Sequence, residues 1–197
     1  MKRQFSGSVI GNRDFRLTPW INVLAASLCI VALLCGTRAA QAEAAPIVRM
    51  VTPRGTILIK LFPKDAPITV ANFEKLVKKG FYNGLTFHRI TDLATPGDSK
   101  IVQGGDPEGN GQGGPGYTIK GEFQQNGVNN PLTHVAGAVA MARSNDPNSA
   151  GSQFYICVNA VHFLDGRYAV FGQVIKGIDV AAQLQVGDKM TSVTMVH

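Results

Sequence analysis

From Ile47 onward the chain reads as short apolar runs punctuated by glycine and proline, the pattern of many strands and few helices. Residues 47–52 and 56–62 are β-branched and aliphatic runs joined by Pro53-Arg54-Gly55, which predicts a hairpin. Ile57, Ile59 and Leu61 share one face of its second strand. Residues 67–79 change period. Pro67 suits a first helical turn, Val70, Phe73 and Leu76 (with Val77) form one apolar stripe, and Gly80 fits the position that ends the helix. Further strands are expected at 101–103, 136–142, 153–158, 169–174 and 191–196, and a second short helix at 178–184. Strands and helices do not alternate, so the pattern implies an antiparallel barrel or sandwich; no repeat or linker divides residues 43–197, which read as one domain.

The segment before this domain has a different character. Residues 1–20 carry Lys2, Arg3, Arg13 and Arg16 against the single acid Asp14, and the uncharged, mostly apolar run 21–36 follows. After Arg38 come Ala39-Ala40-Gln41-Ala42, so residues 1–42 have the three parts of a secretory signal peptide, with cleavage expected after Ala42. The apolar run is short of the roughly 20 residues of a membrane span, and the alternative is an uncleaved N-terminal anchor facing outward. Leu34, before Cys35, is too large for a lipidation site.

The formal charge of the 197-residue chain is +6. Residues 1–42 hold five Lys+Arg and one Asp, which leaves 14 basic and 12 acidic residues, a net +2, in the domain. Lys75, Lys78 and Lys79 read as the solvated face of the helix, so nothing calls for a nucleic-acid partner. Cys29 and Cys35 belong to the leader; Cys157 alone remains, in the apolar run 154–158, and reads as a small buried hydrophobe.

Common chemical motifs are missing. Gly109-Asn110-Gly111-Gln112-Gly113-Gly114 matches a dinucleotide fingerprint in letters, but no helix signal follows it. The four histidines lack ligand spacing, and no Walker lysine, nucleophile elbow or paired-cysteine motif is present, so neither metal nor cofactor is expected. What stands out instead is Phe87-His88-Arg89, Gln103-Gly104-Gly105-Asp106, Gly151-Ser152-Gln153-Phe154-Tyr155 and Phe163-Leu164-Asp165-Gly166.

In this order the four motifs resemble the cyclophilin family of peptidyl-prolyl cis/trans isomerases, from about Val48 to the C-terminus, and Met141-Ala142-Arg143 with Asp146-Pro147-Asn148 is similar to its bacterial branch. The resemblance implies a closed eight-stranded antiparallel barrel capped by two α-helices. It also implies an activity that needs no nucleophile. Rotation about an X–Pro bond faces about 18–20 kcal/mol because the amide nitrogen shares its lone pair with the carbonyl, and a fixed cation that hydrogen-bonds the pyramidal nitrogen favours the twisted state. The resemblance gives that role to Arg89, whose fork stays charged. Strand alternation puts Ile101 with Gln103, and Gln153 with Tyr155, on shared faces that suit a groove floor.

Carried over by position, Gln103 binds the peptide carbonyl, Ile101, Tyr155 and Leu164 form the proline pocket, and Ala142 and Arg143 end the strand that pairs with substrate. Phe163 and Tyr168 stand where the family often has Trp and His, while His88 is read as structural and opposite to Arg89. Three features depart from the family: extra residues at 91–99, Lys100 at a position of the pocket wall where an aromatic is usual, and Phe163, which lacks an indole N–H. The last predicts weak binding of cyclosporin-like inhibitors. The implied partners are proline-containing polypeptides and unfolded exported proteins, in a bacterial periplasm. The alternatives are a non-catalytic proline-binding module or holdase chaperone, and a secreted structural barrel.

Overall fold

The computed structural model describes residues 45–196; the expected leader with its cleavage after Ala42, and the C-terminal His197, lie outside them. Eight strands form one sheet: β1 (Ile47–Thr52), β2 (Gly55–Leu61), β3 (Phe87–Asp92), β4 (Lys100–Gly104), β5 (Ala138–Met141), β6 (Phe154–Cys157), β7 (Val170–Lys176) and β8 (Ser192–Val196). Two helices accompany them, α1 (Pro67–Lys78) and α2 (Ile178–Gln183), with single 3₁₀ turns at Gln124–Asn126 and His162–Leu164. The expected hairpin is β1–β2, paired from Ile47 with Lys60 to Thr52 with Gly55.

All pairings are antiparallel, in the order β3-β4-β6-β5-β7-β2-β1-β8. The expected closed barrel is therefore corrected to an open, curled sheet with β3 and β8 as its ends. The two ends of the sheet meet only where β3 begins. There residues 84–87 and 187–190 exchange hydrogen bonds, Met190 N to Leu85 O at 2.8 Å and Phe87 N to Asp188 O at 2.9 Å, around the single bridge Thr86–Lys189. After Phe87, β3 pairs only with β4 and becomes an edge strand. Its existence was not read from the pattern, and residues 91 and 92, expected in a loop, complete it.

Strands β5 and β6 are covered on both faces, which explains why they read as continuous apolar runs rather than alternating ones. Inward, Val102, Val139, Phe154, Ile156 and Phe171 join the main core with β1, β2 and α1. Outward, Ile101, Ala138, Ala140, Tyr155, Cys157 and Val170 form a second, smaller cluster under the loops. The Cys157 thiol sits there, pushed up to about 12 by burial and by the nearby Asp165 charge, as expected of an inert buried hydrophobe.

Helix α1 buries Val70, Phe73, Leu76 and Val77, and Phe73 packs within 5.0–5.4 Å, ring to ring, of Tyr82, Phe154 and Phe171. Its N-terminus has no capping side chain of its own, because Ala66 occupies that position. The buried Glu122 carboxylate substitutes, accepting Ile68 N–H at 3.0 Å, Thr69 N–H at 2.7 Å and the Thr69 hydroxyl at 2.7 Å. Glu122→Ala is expected to destabilise the fold by about 2 kcal/mol, seen as a lowered denaturation midpoint. An unchanged midpoint would show that water replaces this cap without loss.

Candidate active site

A β-bulge positions the arginine. Strands β3 and β4 pair Phe87 with Gly104 and Arg89 with Gln103, so two residues of β3 span one step of β4 and His88 is the extra one. In a regular strand Phe87 and Arg89 would share a face. The bulge lets Phe87 enter the main core, fully buried, while the exposed Arg89 stands beside Gln103 on the outer surface. The same bulge leaves the half-buried His88 ring beside the glycine loop, where a Cβ added to Gly111 would stand 3.9 Å from Nε2, and burial pushes its pKa down despite nearby Asp106.

From Arg89 a chain of hydrogen bonds crosses the outer face. Arg89 Nη1 donates to Gln103 Oε1 at 3.2 Å, Gln103 Nε2 donates to Gln153 Oε1 at 3.0 Å, and Gln153 Nε2 donates to the carbonyls of Gly111 and Gly113, each at 2.9 Å. Each amide thereby has its orientation set, and Gln103 keeps a second N–H for a ligand carbonyl. The glycine loop that ends the chain is itself folded around Asp106, whose carboxylate accepts the backbone N–H groups of Glu108 and Asn110 at 2.8 and 3.0 Å and that of Gly111. Burial alone would raise this carboxyl; those hydrogen bonds outweigh it and hold it below the ordinary range. Gly105 explains why two of the sequence motifs occur together. It has φ +88°, a Cβ there would lie 2.5 Å from Ser152 O, and the Ser152 hydroxyl donates to Gly105 O at 2.7 Å.

Two depressions meet on this face. The smaller, about 250 Å³, is lined by every expected site residue except Lys100 and Gln153: Arg89, Ile101, Gln103, Ala142, Arg143, Tyr155, Phe163, Leu164 and Tyr168. Ile101, Tyr155 and Leu164 supply an apolar floor and wall, with Arg89 and Gln103 at the polar margin. The larger, about 590 Å³, runs over the glycine loop and shares Gln103, Ala142 and Arg143 with the first; Gln153 lies in it. Lys100 is in neither. Alternation turns it to the opposite face of β4 from Ile101 and Gln103, and its Nζ donates to Ala182 O at 2.6 Å, near the end of α2, so its expected place in the pocket wall is corrected.

The wall residue that sequence reasoning missed is Leu93. It stands on the extra segment, which is a self-bonded turn: Leu93 N donates to Ser99 O at 3.2 Å, Ala94 N to Ser99 Oγ at 2.8 Å, and the Ser99 hydroxyl to Thr95 O at 3.0 Å. Buried Ser99 anchors the turn, and half-buried Leu93 packs on the outer cluster.

Residues 47–196 match the family model described as cyclophilin type peptidyl-prolyl cis-trans isomerase/CLD. The chain belongs to this family. Among relatives of this cyclophilin, peptidyl-prolyl cis-trans isomerase B of Bacillus subtilis is 47% identical over 137 residues, which are 70% of this chain and 88% of the relative. A peptidyl-prolyl cis-trans isomerase of Synechococcus elongatus is 44% identical over 147 residues, 74% of this chain and 92% of that one. Of solved structures, a Cryptosporidium parvum cyclophilin type peptidyl-prolyl cis-trans isomerase, crystallised in the presence of the dipeptide Ala-Pro, superposes with a TM-score of 0.65 at 28% identity, covering 77% of this chain and 99% of its own. The cyclophilin AquaCyp293 of Hirschia baltica gives 0.65 at 27% identity, covering 78% and 75%.

Behind the apolar floor, this cyclophilin has a second polar chain, which joins Tyr155 and Asp165 of the sequence motifs through His134, a residue outside them. The buried hydroxyl of Tyr155 bonds His134 Nε2 at 2.9 Å, and His134 Nδ1 bonds Asp165 Oδ1 at 2.9 Å. The same oxygen accepts the His134 backbone N–H at 2.7 Å, while Asp165 Oδ2 meets His162 Nδ1 at 2.9 Å. Burial pushes the His134 pKa down against the pull of Asp165, so the imidazole is neutral, with its proton on Nδ1 and Nε2 accepting from the tyrosine. Burial also raises Tyr155 well above its ordinary range, which keeps it a donor. For Asp165 burial is outweighed by the hydrogen bonds from His134 and His162, and its pKa falls.

Proposed function

We propose that the chain accelerates cis/trans rotation about X–Pro bonds of polypeptides that fold outside the cytoplasm, with the proline ring in the smaller depression and Arg89 bonded to the twisted nitrogen. The observation that carries this reading is the juxtaposition of an apolar floor of Ile101, Leu93, Tyr155 and Leu164 with a guanidinium held at 3.2 Å by Gln103 on the margin. Among the described residues Arg89 has no carboxylate partner, so its charge is available to a ligand. The remaining N–H of Gln103 would bind the peptide carbonyl, and an extended peptide would cross Ala142 and Arg143, which both depressions share. A relative crystallised with Ala-Pro agrees with a proline-sized occupant. The alternative, binding without turnover, rests on Lys100 and on the lengthened segment 91–99; Lys100 is engaged with Ala182 O, and the segment contributes the apolar Leu93 to the wall.

The test is isomerisation of a short X–Pro peptide by the purified protein. A rate above the uncatalysed exchange of tens to hundreds of seconds is expected, and a rate equal to it would overturn the reading. Export rests on the composition of residues 1–42, and N-terminal sequencing of the mature protein is expected to begin at Glu43. Phe163 stands 49% exposed at the rim with no ring N–H to offer. Weak cyclosporin binding is therefore expected, with Phe163→Trp tightening it about tenfold; equal affinity of the two would remove Phe163 as the cause.

A further inference from the structure

The lining of the two depressions contains two formal charges, Arg89 and Arg143, and no carboxylate. Arg143 occupies the ridge common to both, and its side chain is locked. Nε and Nη2 donate to Arg167 O at 3.2 and 2.9 Å, Nη1 donates to Ser144 O at 2.8 Å, and the guanidinium lies 4.5 Å from the Tyr168 ring and 5.1 Å from that of Phe123. Every acceptor it meets is a neutral carbonyl, so the hydrogen bonds fix the group without cancelling its charge.

The acids nearby are directed elsewhere. Asp146, on the same loop, accepts Asn148 N–H at 2.8 Å; Asp106 is enclosed by the glycine loop; Asp165 lies behind Tyr155 and is occupied by two histidines. Arg167, exposed beside Arg143, adds to the same sign. An extended peptide passing from one depression to the other crosses a fixed, unpaired cation whose ordering is already complete before it binds.

We propose that this groove selects proline segments carrying a carboxylate one or two residues before the proline, and that Arg143 is the side chain that selects them. The inference rests on the proline-binding reading of the site and adds to it a substrate class. Its chemistry is charge complementarity in a partly desolvated groove, which favours an acidic side chain and disfavours a basic one.

The test uses the full chain and three sets of matched peptides, with Glu, Ala or Lys at either of the two positions before proline. Both kcat/KM and the equilibrium Kd are measured. The expected result, at one of the two positions, is a Glu-to-Lys ratio of about tenfold in Kd and in kcat/KM at low ionic strength, falling to about threefold or less in 0.5 M salt as the Debye length shortens. In Arg143→Gln the ratio is expected to drop below about threefold, while Arg143→Lys, which keeps the charge and loses the fork, retains more of it. Equal Kd values for Glu and Lys peptides in the wild type overturn the proposal, and so does a ratio that survives Arg143→Gln. Because Kd is read independently of turnover, background-level isomerisation of the Ala peptide would count against the isomerase reading alone. Should Arg143→Gln fold poorly, the salt dependence of the wild-type ratio decides the matter.

Discussion

Arg89→Ala is expected to lower kcat/KM for an X–Pro peptide about 100-fold while leaving the melting temperature within a degree or so of the wild type. The size follows from what the side chain is asked to supply. Removing one preorganised donor to developing charge costs about 10²–10³ in rate in enclosed sites, and the exposure of Arg89 places it at the lower end. The loss is expected in kcat rather than KM, because the planar amide in either ground state offers the guanidinium no pyramidal nitrogen. Stability is indifferent because Arg89 is an exposed residue on an edge strand whose only side-chain hydrogen bond among the described residues is to Gln103. Arg89→Lys is the informative companion. It keeps the charge but cannot reproduce the fork between Gln103 and a ligand, and a loss of about tenfold is expected. An alanine variant within twofold of wild type would remove Arg89 from the mechanism.

How much of this site was legible in the sequence depends on how far apart its parts lie along the chain. Alternation was enough to pair Ile101 with Gln103 and Gln153 with Tyr155 on the outer face, since a strand's period is a local property. The motif letters brought Arg89 and Leu164 to the same depression, and position within the family brought Tyr168. The His88 bulge was not legible, because two residues for one is a relation between β3 and β4 rather than a property of either strand. Counting back from Gln103 placed Lys100 in the pocket wall, yet parity sends it to α2 and the segment before it folds back to deliver Leu93. Closure of the barrel was hidden for a similar reason: it depends on whether β3 and β8 pair, and the two ends of the sheet meet only through residues 84–87 and 187–190. The cap on α1 comes from Glu122, 53 residues beyond Thr69, and no helix-start signal near Pro67 could announce it.

The same distance hid His134, which lies 31 residues before Asp165, and the largest expected loss of stability follows from that pair. Asp165→Ala is expected to destabilise the fold by about 3 kcal/mol, a fall of about 6–12 °C in melting temperature for a domain of this size. The reason is that Asp165 Oδ1 accepts both the backbone N–H and the ring N–H of His134, whose side chain is fully buried, and no other acceptor for either is present among the described residues. Asp165→Asn is expected to recover most of this, because its carbonyl oxygen still faces His134 and its amide can donate to His162. Activity should follow stability only in part. The carboxylate holds the floor through His134 and Tyr155 and the rim turn His162–Leu164 through His162, so the alanine variant is expected to lose about tenfold in kcat/KM at temperatures where it is fully folded. Acid should expose the same network. His134 is neutral in the fold with a lowered pKa, whereas the unfolded chain titrates near 6.5. Its contribution is therefore complete above about pH 6.5 and is lost progressively as pH falls toward the folded value. Asp165, also lowered, adds stability that persists below that window and is lost only as its own carboxylate protonates, below about 3.8. Melting temperatures measured from pH 7.5 to 5 should fall, and fall at least as steeply in Asp165→Asn, where His134 loses the charge that opposed its burial. A flat profile in both proteins, or an alanine variant as stable and active as the wild type, would show that the floor of the pocket does not depend on this chain of hydrogen bonds.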